Sequence, residues 1–225
     1  MKKTLFTLNI NYSKEITDIT YPFLQGYAKK IGAEFYIIDQ RKFPDFPISY
    51  EKFQIYKLTQ KLDNAWAIFI DSDALIHPDT FDITEILAYD TVLTCGKDFA
   101  PVRWRYDKYF RRDGRHIGAG NWFTVASSDC IDLWHPLDDL TLDEVVSNIF
   151  PTIKERNKSG HDVKHYIDDY VISRNIAKYG LKFKTFYELL KENGNPGEFL
   201  FHEYLYTTEE KIANLKKVLA LWRKG

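Results

Sequence analysis

Apolar and polar residues follow two different patterns along the chain. Short apolar runs predict strands, and apolar residues at helical spacing predict helices between them. The run at residues 65–70 is continuously apolar, which is typical of a strand buried on both faces. In chain order the predicted elements are a strand at 4–10, a helix at 19–31, a strand at 34–39, a helix at 49–62, a strand at 65–70, a short helix at 80–88, strands at 91–95 and 121–126, helices at 127–134, 142–156 and 166–178, a strand at 182–186, an apolar piece at 199–202 and a helix at 208–222.

Local signals position two of the early helices. Pro22 is placed in the first turn of the 19–31 helix, where its missing N–H costs little, and Gly32 lies where a C-terminal cap belongs. Ser49 is placed as the N-cap of the following helix. Strands that alternate with helices predict an α/β fold with a mostly parallel central sheet and helices on both faces. Ligands bind such sheets at the carboxyl ends of the strands.

Length and composition favour one domain spanning residues 1–225. A hydrophobic content of 44% supports a sizeable core, and 31 basic against 32 acidic residues give a net charge of -1. Such a balance does not favour attraction to nucleic acid or membranes. The first residues lack the pattern of a signal peptide, and no stretch approaches the roughly 20 apolar residues of a membrane helix. Cys95 and Cys130 lack metal-ligand spacing, so they are interpreted as free thiols in a reducing compartment, which predicts a cytoplasmic protein.

Two carboxylates follow the 65–70 run directly, in Asp71-Ser72-Asp73. Their charges repel each other and the apolar strand cannot solvate them, so a divalent cation would stabilise the pair. Hard cations such as Mg²⁺ or Mn²⁺ prefer oxygen ligands and share them with phosphates. The alternative is a solvated turn with a helix cap, because Asp and Ser are common in turns.

Two classes of metal-using enzyme place acidic residues after a strand. Phosphatases of the haloacid dehalogenase type usually carry Thr or Val two residues beyond the second Asp, where this chain has Leu75. Their nucleophile also usually follows the first strand, whereas Asp71 follows the third predicted strand. The other class transfers a sugar from a nucleoside diphosphate sugar, with the metal bridging the diphosphate.

Four motifs follow one another along the chain: Asp71-Ser72-Asp73, Gly118-Ala119-Gly120-Asn121, Asp168-Asp169 and His202. Together, over residues 4–202, they resemble the GT-A superfamily of nucleotide-diphospho-sugar glycosyltransferases. Asp71-Ser72-Asp73 looks like its DxD motif, and Gly118-Ala119-Gly120-Asn121 resembles the glycine-rich loop near the donor sugar. Asp168-Asp169 resembles the acidic xED motif, with Asp168 where Glu is typical, and His202 is placed like the C-terminal metal ligand. The compact size resembles the small glycosyltransferase domains of large algal viruses. The resemblance implies a nucleotide-binding half at 1–95 and a half for donor sugar and acceptor at 96–225.

The resemblance also implies roles for these residues. Asp73 and His202 would bind Mn²⁺ or Mg²⁺, and Asp71 would hold the metal, the ribose or the sugar. Asp169 would be the general base of an inverting transfer, with Asp168 orienting a sugar hydroxyl, although a retaining mechanism stays open. Helix capping is the alternative for the two acids. The predicted contacts with the nucleotide sugar are Asp71, Ser72, Thr7, Asn9, Tyr12, Asp39, Lys57, Gly118, Gly120 and Asn121.

Several of these assignments have simpler alternatives. Tyr12 is predicted to stack on the base and Lys57 to reach a phosphate, but Lys57 also suits a solvated helix face. The Arg- and aromatic-rich segment 97–120 is predicted to be a lid over the donor or acceptor, or else to contact phosphate or an anionic surface. Nucleic-acid binding through it is disfavoured. The 208–222 helix should pack on the domain, with peripheral membrane contact as the alternative.

The sequence therefore predicts a metal-dependent glycosyltransferase that uses a UDP- or GDP-sugar and a glycan acceptor. A non-catalytic protein that binds nucleotide sugar or glycan on the same fold is the alternative. Such a protein would have no need to keep both Asp169 and His202.

Overall fold

The computed structural model describes residues 1–95, 102–104, 121–151, 163–193, 199–202 and 207–223, with only the backbone of 102–104, 150 and 151. The strands are β1 (Lys3–Leu8), β2 (Ala33–Ile38), β3 (Trp66–Ile70), β4 (Leu75–Ile76), β5 (Thr91–Thr94), β6 (Val102–Trp104), β7 (Phe123–Ser127), β8 (Ile149–Pro151), β9 (Lys182–Thr185) and β10 (Leu200–Phe201). The α-helices are α1 (Lys14–Lys30), α2 (Ile55–Leu62), α3 (Leu142–Ser147), α4 (Ile167–Lys178), α5 (Phe186–Glu192) and α6 (Thr208–Trp222), and 3₁₀ segments cover Ile48–Gln54, Ile83–Glu85, Ser128–Trp134 and Val163–Tyr166.

A central sheet of six strands has the order β2-β1-β3-β7-β5-β9. β1 pairs in parallel with β2 and β3, and β5 pairs in parallel with β9. β7 runs antiparallel to both of its neighbours, β3 and β5. The prediction of a mostly parallel sheet in a single α/β domain is confirmed, with β7 as the exception among these strands.

Strand β3 shows why the sheet is covered on both faces. All five of its residues are buried, and successive side chains enter opposite cores. Phe69 packs with α4 and the Ile48–Gln54 segment on one face, whereas Ile68 and Ile70 pack with α1 and α5 on the other. The continuous apolar run was therefore correctly interpreted as a doubly buried strand.

Helix α1 begins earlier than its apolar pattern predicts, so the placement of Pro22 in a first turn is wrong. Pro22 lies inside α1. The buried face before it includes Thr17 and Thr20, whose hydroxyls donate back to the carbonyls of Lys14 and Ile16. Because these buried side chains are polar, hydrophobic periodicity does not detect that part of the helix.

The predicted helix at 49–62 is also corrected. Its first part is the 3₁₀ segment Ile48–Gln54, which follows Pro47, and Ser49 makes no capping hydrogen bond. Glu51 and Lys52 are buried there, and charged residues at buried positions break the apolar spacing on which the prediction relied.

Other boundaries differ where short structures replace predicted helices. The 80–88 helix is reduced to the Ile83–Glu85 turn, and the 127–134 helix is a 3₁₀ segment. The 142–156 helix ends at Ser147, since β8 follows and pairs antiparallel with β6. The pairing of β4 with β10 was not predicted, because two-residue strands carry no measurable periodicity.

Helix α6 packs on the domain, as its amphipathic pattern predicts. Leu215 is buried with Ile16 of α1 and Leu75 of β4, and Trp222 lies edge-on to Phe23. Across the described ranges, no helix is both long and apolar enough to span a membrane.

Candidate active site

The Asp71-Ser72-Asp73 turn lies at the carboxyl end of β3 and is fixed by backbone contacts. The Asp71 N–H donates to the Trp122 carbonyl at 2.8 Å, which continues the ladder towards β7. The Ser72 hydroxyl lies 3.1 Å from that of Thr7 and donates to the Leu8 carbonyl, and Thr20 donates to the Ser72 carbonyl at 2.5 Å. These contacts of Ser72 therefore hold the turn against β1 and α1.

The short β4–β10 ladder carries His202 to this turn. Phe201 pairs with Leu75, so the next residue, His202, lies beside Asp73. His202 Nε2 is 3.1 Å from Asp73 Oδ1 and 3.8 Å from Asp71 Oδ2, and one ligand atom from each of the three residues lies within 4.8 Å of the others. The His202 ring stacks on Trp122 at 4.9 Å between centroids, which orients the imidazole.

The three side chains suit a divalent cation. Mn²⁺ can be coordinated by two carboxylates and an imidazole, whereas Mg²⁺ prefers the carboxylate oxygens of this set. Burial raises the pKa of Asp71 to about 6, against the opposing effect of Lys52 and His202. Burial would also raise the pKa of Asp73, but the hydrogen bond and charge of His202, together with Lys211, hold that pKa well below its usual range. His202 and Lys211 thus stabilise negative charge at Asp73.

One of those groups, Lys211, was not foreseen. It projects from the beginning of α6, its Nζ forms an ion pair with Asp73 Oδ2, and it donates to the Tyr12 hydroxyl at 3.3 Å. The sequence gives no local signal for this contact, because 138 residues separate Lys211 from Asp73.

The acidic pair Asp168-Asp169 lies in the first turn of α4, and both residues are buried. Asn121 donates to Asp169 Oδ1 from its side-chain amide at 2.8 Å and from its backbone N–H at 3.2 Å. Burial, followed by the charge of Asp168, raises the pKa of Asp169 to about 7, despite Lys52 and the Asn121 hydrogen bonds. Asp169 is therefore a carboxyl group that exchanges its proton near neutral pH.

Lys52 connects the two groups of acids, and sequence reasoning missed it. Its Nζ is 2.6 Å from Asp168 Oδ2, 4.0 Å from Asp71 Oδ1 and 4.7 Å from the centroid of the Phe69 ring, and its side chain is 2% exposed. Burial would lower the pKa of Lys52, but Asp168 and Asp71 raise it above its usual value. Lys52 likewise outweighs the effect of burial at Asp168, and the pKa of Asp168 is lowered. The predicted Lys57 is instead exposed on α2.

The predicted nucleoside residues gather where β1 and β2 end side by side. The Asn9 N–H donates to the Ile38 carbonyl at 2.9 Å, which joins the two strand ends, and Asp39 is exposed directly after β2. Tyr12 packs beside Ile16 and Leu215, with its hydroxyl towards Lys211. Its predicted stacking on a base stays a prediction, as do the roles of Asn9 and Asp39. Gly118, Gly120 and the rest of the Arg-rich segment 97–120, apart from the backbone of β6, lie outside the described residues. Asn121 is described and donates to Asp169.

Comparison with known proteins gives a match in structure only. No family model matches the sequence, and no curated protein matches it. Among solved structures, a glycosyltransferase involved in glycosylation of the major capsid of PBCV-1 superposes with a TM-score of 0.52 at 11% identity, covering 96% of this chain and 100% of that chain. This chain has a GT-A glycosyltransferase-like fold.

Other structures align with this GT-A-like chain less closely. Drosophila β-1,4-galactosyltransferase 7, solved with manganese, UDP-Gal and xylobiose, gives a TM-score of 0.48 at 11% identity over 94% of this chain and 79% of that chain. The inositol-1-phosphate CTP transferase of T. maritima gives 0.42 at 10% identity over 96% of this chain and 97% of that chain. At such low identity the similarity shows the fold alone.

Proposed function

We propose that this protein is a metal-dependent glycosyltransferase that moves a sugar from a UDP- or GDP-linked donor to a hydroxyl of a glycan, with inversion at the anomeric carbon. The arrangement that carries the proposal is the metal-competent cluster of Asp71, Asp73 and His202, joined through Lys52 to a second acidic pair whose Asp169 titrates near neutral pH. A protein that only binds a nucleotide sugar would need the metal cluster but not the acidic pair Asp168-Asp169.

One set of residues would act on the diphosphate leaving group and the other on the acceptor hydroxyl. Asp73 and His202, with Asp71, would hold Mn²⁺ or Mg²⁺, which supplies charge neutralisation to the diphosphate leaving group. Asp169 would accept the proton of the acceptor hydroxyl as that oxygen bonds to the anomeric carbon and the bond to the diphosphate breaks. Asn121 fixes Asp169, and Lys52 keeps Asp168 ionised beside it. Burial and the charge of Asp168 thus raise the pKa of the proposed base, and Lys52 limits the rise.

The nucleoside would lie over the ends of β1 and β2, near Asn9, Tyr12 and Asp39. This placement follows the rule that ligands of open α/β sheets bind at the carboxyl ends of the strands. The sugar would then lie between the metal cluster and Asp169, the region that Trp122 borders through its contact with His202. A cytoplasmic location stays a prediction from the cysteines.

Replacing Asp73 by Asn tests the metal site. The amide retains the shape but loses the charge, so we expect Mn²⁺ affinity to fall by roughly 100-fold, and donor binding and transfer to fall with it. Isothermal titration with Mn²⁺, then with UDP- and GDP-sugars in Mn²⁺, measures both effects. Asp79→Asn is the matched control, because Asp79 is 85% exposed and lies beyond β4, outside the cluster. Unchanged Mn²⁺ affinity in Asp73→Asn would remove Asp73 from the site.

The pH dependence of transfer tests the proposed base. Asp169 must be ionised to accept a proton and its pKa is about 7, so kcat/KM should rise about tenfold per pH unit below 7 and level off above it. The measurement uses initial rates from pH 5.5 to 8.5 at saturating Mn²⁺. A profile that stays flat across this range would contradict the role of Asp169.

A further inference from the structure

Lys211 contacts the metal cluster but has no role in the reaction as described above. Its ammonium group bonds to Asp73 Oδ2, while His202 lies on the other oxygen, Oδ1. Asp73 is 7% exposed, so these two neighbours account for much of the stabilisation of its charge. Lys211 therefore serves as a counter-ion at the position where a divalent cation is expected.

The location of Lys211 on its own helix is unfavourable. It lies near the N-terminus of α6, where the helix dipole favours acids, and Glu209 and Glu210 occupy the first turn there. The ion pair with Asp73 and the hydrogen bond to Tyr12 offset this disadvantage. The position of Lys211 is thus explained by the site rather than by the helix.

A cation bound by Asp73 would compete with Lys211 for the same carboxylate. Coordination withdraws negative charge from Asp73 and places a second positive charge next to the ammonium group, so the ion pair weakens. Lysine has a long flexible side chain, and that of Lys211 is 18% exposed, which leaves it room to move. The diphosphate of a donor would place anionic oxygens against the same cation, within reach of the displaced ammonium group.

We propose that Lys211 is a charge-exchange residue, which neutralises Asp73 before the divalent cation binds and then transfers its contact to the diphosphate of the donor. This inference rests on the proposed function, because it requires both the cation and a nucleoside diphosphate. It assigns the start of α6 to the donor site and predicts opposite effects of Lys211 on the two ligands.

The test uses Lys211→Met in the full-length protein, with Lys211→Gln as a second neutral variant. In calorimetric titrations with Mn²⁺ alone, removing the competing charge should tighten binding by roughly tenfold relative to wild type. In titrations with UDP, and separately with GDP, at saturating Mn²⁺, the variants should bind the nucleotide that wild type prefers roughly tenfold more weakly. Lys211→Arg, which keeps the charge, should stay near wild type in both titrations.

Lys216→Met is the matched control, since Lys216 is exposed on the same helix, and it should change neither affinity. Mn²⁺ affinity that is equal or lower in both neutral variants would overturn the exchange, because a lysine that competes with the cation for Asp73 must raise metal affinity when it is lost. Unchanged nucleotide affinity would overturn the contact with the diphosphate. Wild-type protein that binds neither Mn²⁺ nor nucleotide would instead refute the proposed function itself, and the exchange with it.

Discussion

Asp169→Asn is expected to reduce sugar transfer by about 10²–10⁴-fold while leaving donor binding near the wild-type level. The amide cannot accept the proton of the acceptor hydroxyl. Its carbonyl oxygen can still accept both hydrogen bonds from Asn121, so the local structure should persist. Transfer is measured by initial rates with the donor that calorimetry identifies, and binding by titration of that donor in Mn²⁺. Full transfer activity in this variant would refute the assignment of the base.

The stability of the same variant gives an independent check. The pKa of Asp169 is raised from 3.8 to about 7 in the folded state, so the native state binds more protons than the unfolded state between these values. The stability that the raised pKa of Asp169 contributes is therefore complete below pH 4 and is lost as the pH rises to about 7. A neutral Asn avoids this loss, so Asp169→Asn should melt at a higher temperature than wild type at pH 8 and at a similar temperature at pH 4. Asp143→Asn, an exposed acid changed in the same way, should show no such difference.

Lys52→Met is expected to lower the free energy of unfolding by about 3–5 kcal/mol at pH 7, the largest stability effect at the site. Methionine fills a similar volume, but it removes the ion pair of Asp168 and the positive charge that Lys52 places near Asp71 and Asp169. Urea denaturation followed by circular dichroism measures the change. Lys57→Met on the exposed face of α2 should change stability by less than about 0.5 kcal/mol.

The charge of Lys52, rather than its packing, is tested by a second substitution. Adding Asp168→Asn to Lys52→Met removes one uncompensated carboxylate, so the double variant should recover part of the lost stability. The defect of Lys52→Met should also be smaller at pH 5 than at pH 8, because carboxyl groups without a counter-ion take up protons more readily. An equal loss of stability at pH 5 and pH 8 would indicate that Lys52 stabilises the fold through packing and not through its charge.

Charge pairing explains why the two acidic motifs behave differently although both are buried. Asp168 and Asp73 each have a cationic partner in direct contact, and their pKa values are lowered. Asp71 and Asp169 lie farther from such partners, and burial raises their pKa values to about 6 and about 7. Each motif thus contains one acid that stays ionised and one that takes up a proton more easily.

The sequence by itself determined those features of this protein that depend on residues close together along the chain. The apolar run before Asp71 specified β3, because a strand buried on both faces needs continuous hydrophobic side chains. Asp71 and Asp73 were identifiable because two carboxylates directly after an apolar strand repel each other and lack solvation. Asp168-Asp169 was identified through its resemblance to the acidic xED motif. His202 was found through the order of motifs, and the structure places it beside Asp71 and Asp73.

The tertiary structure alone decided which lysines lie beside the acidic residues. Lys57 was predicted because it lies on the helix before β3. In the structure Lys52 instead lies near Asp71 and Asp168, although 116 residues separate Lys52 from Asp168. Lys211 reaches Asp73 from the closing helix. The residues around a lysine in the sequence do not show whether its side chain is solvated or is a buried counter-ion. The difference depends on the distance to carboxylates, which the sheet and the β4–β10 pairing bring close. Long-range electrostatics of this kind depends on the folded arrangement of the chain, whereas strands and helices are already encoded in the spacing of apolar residues.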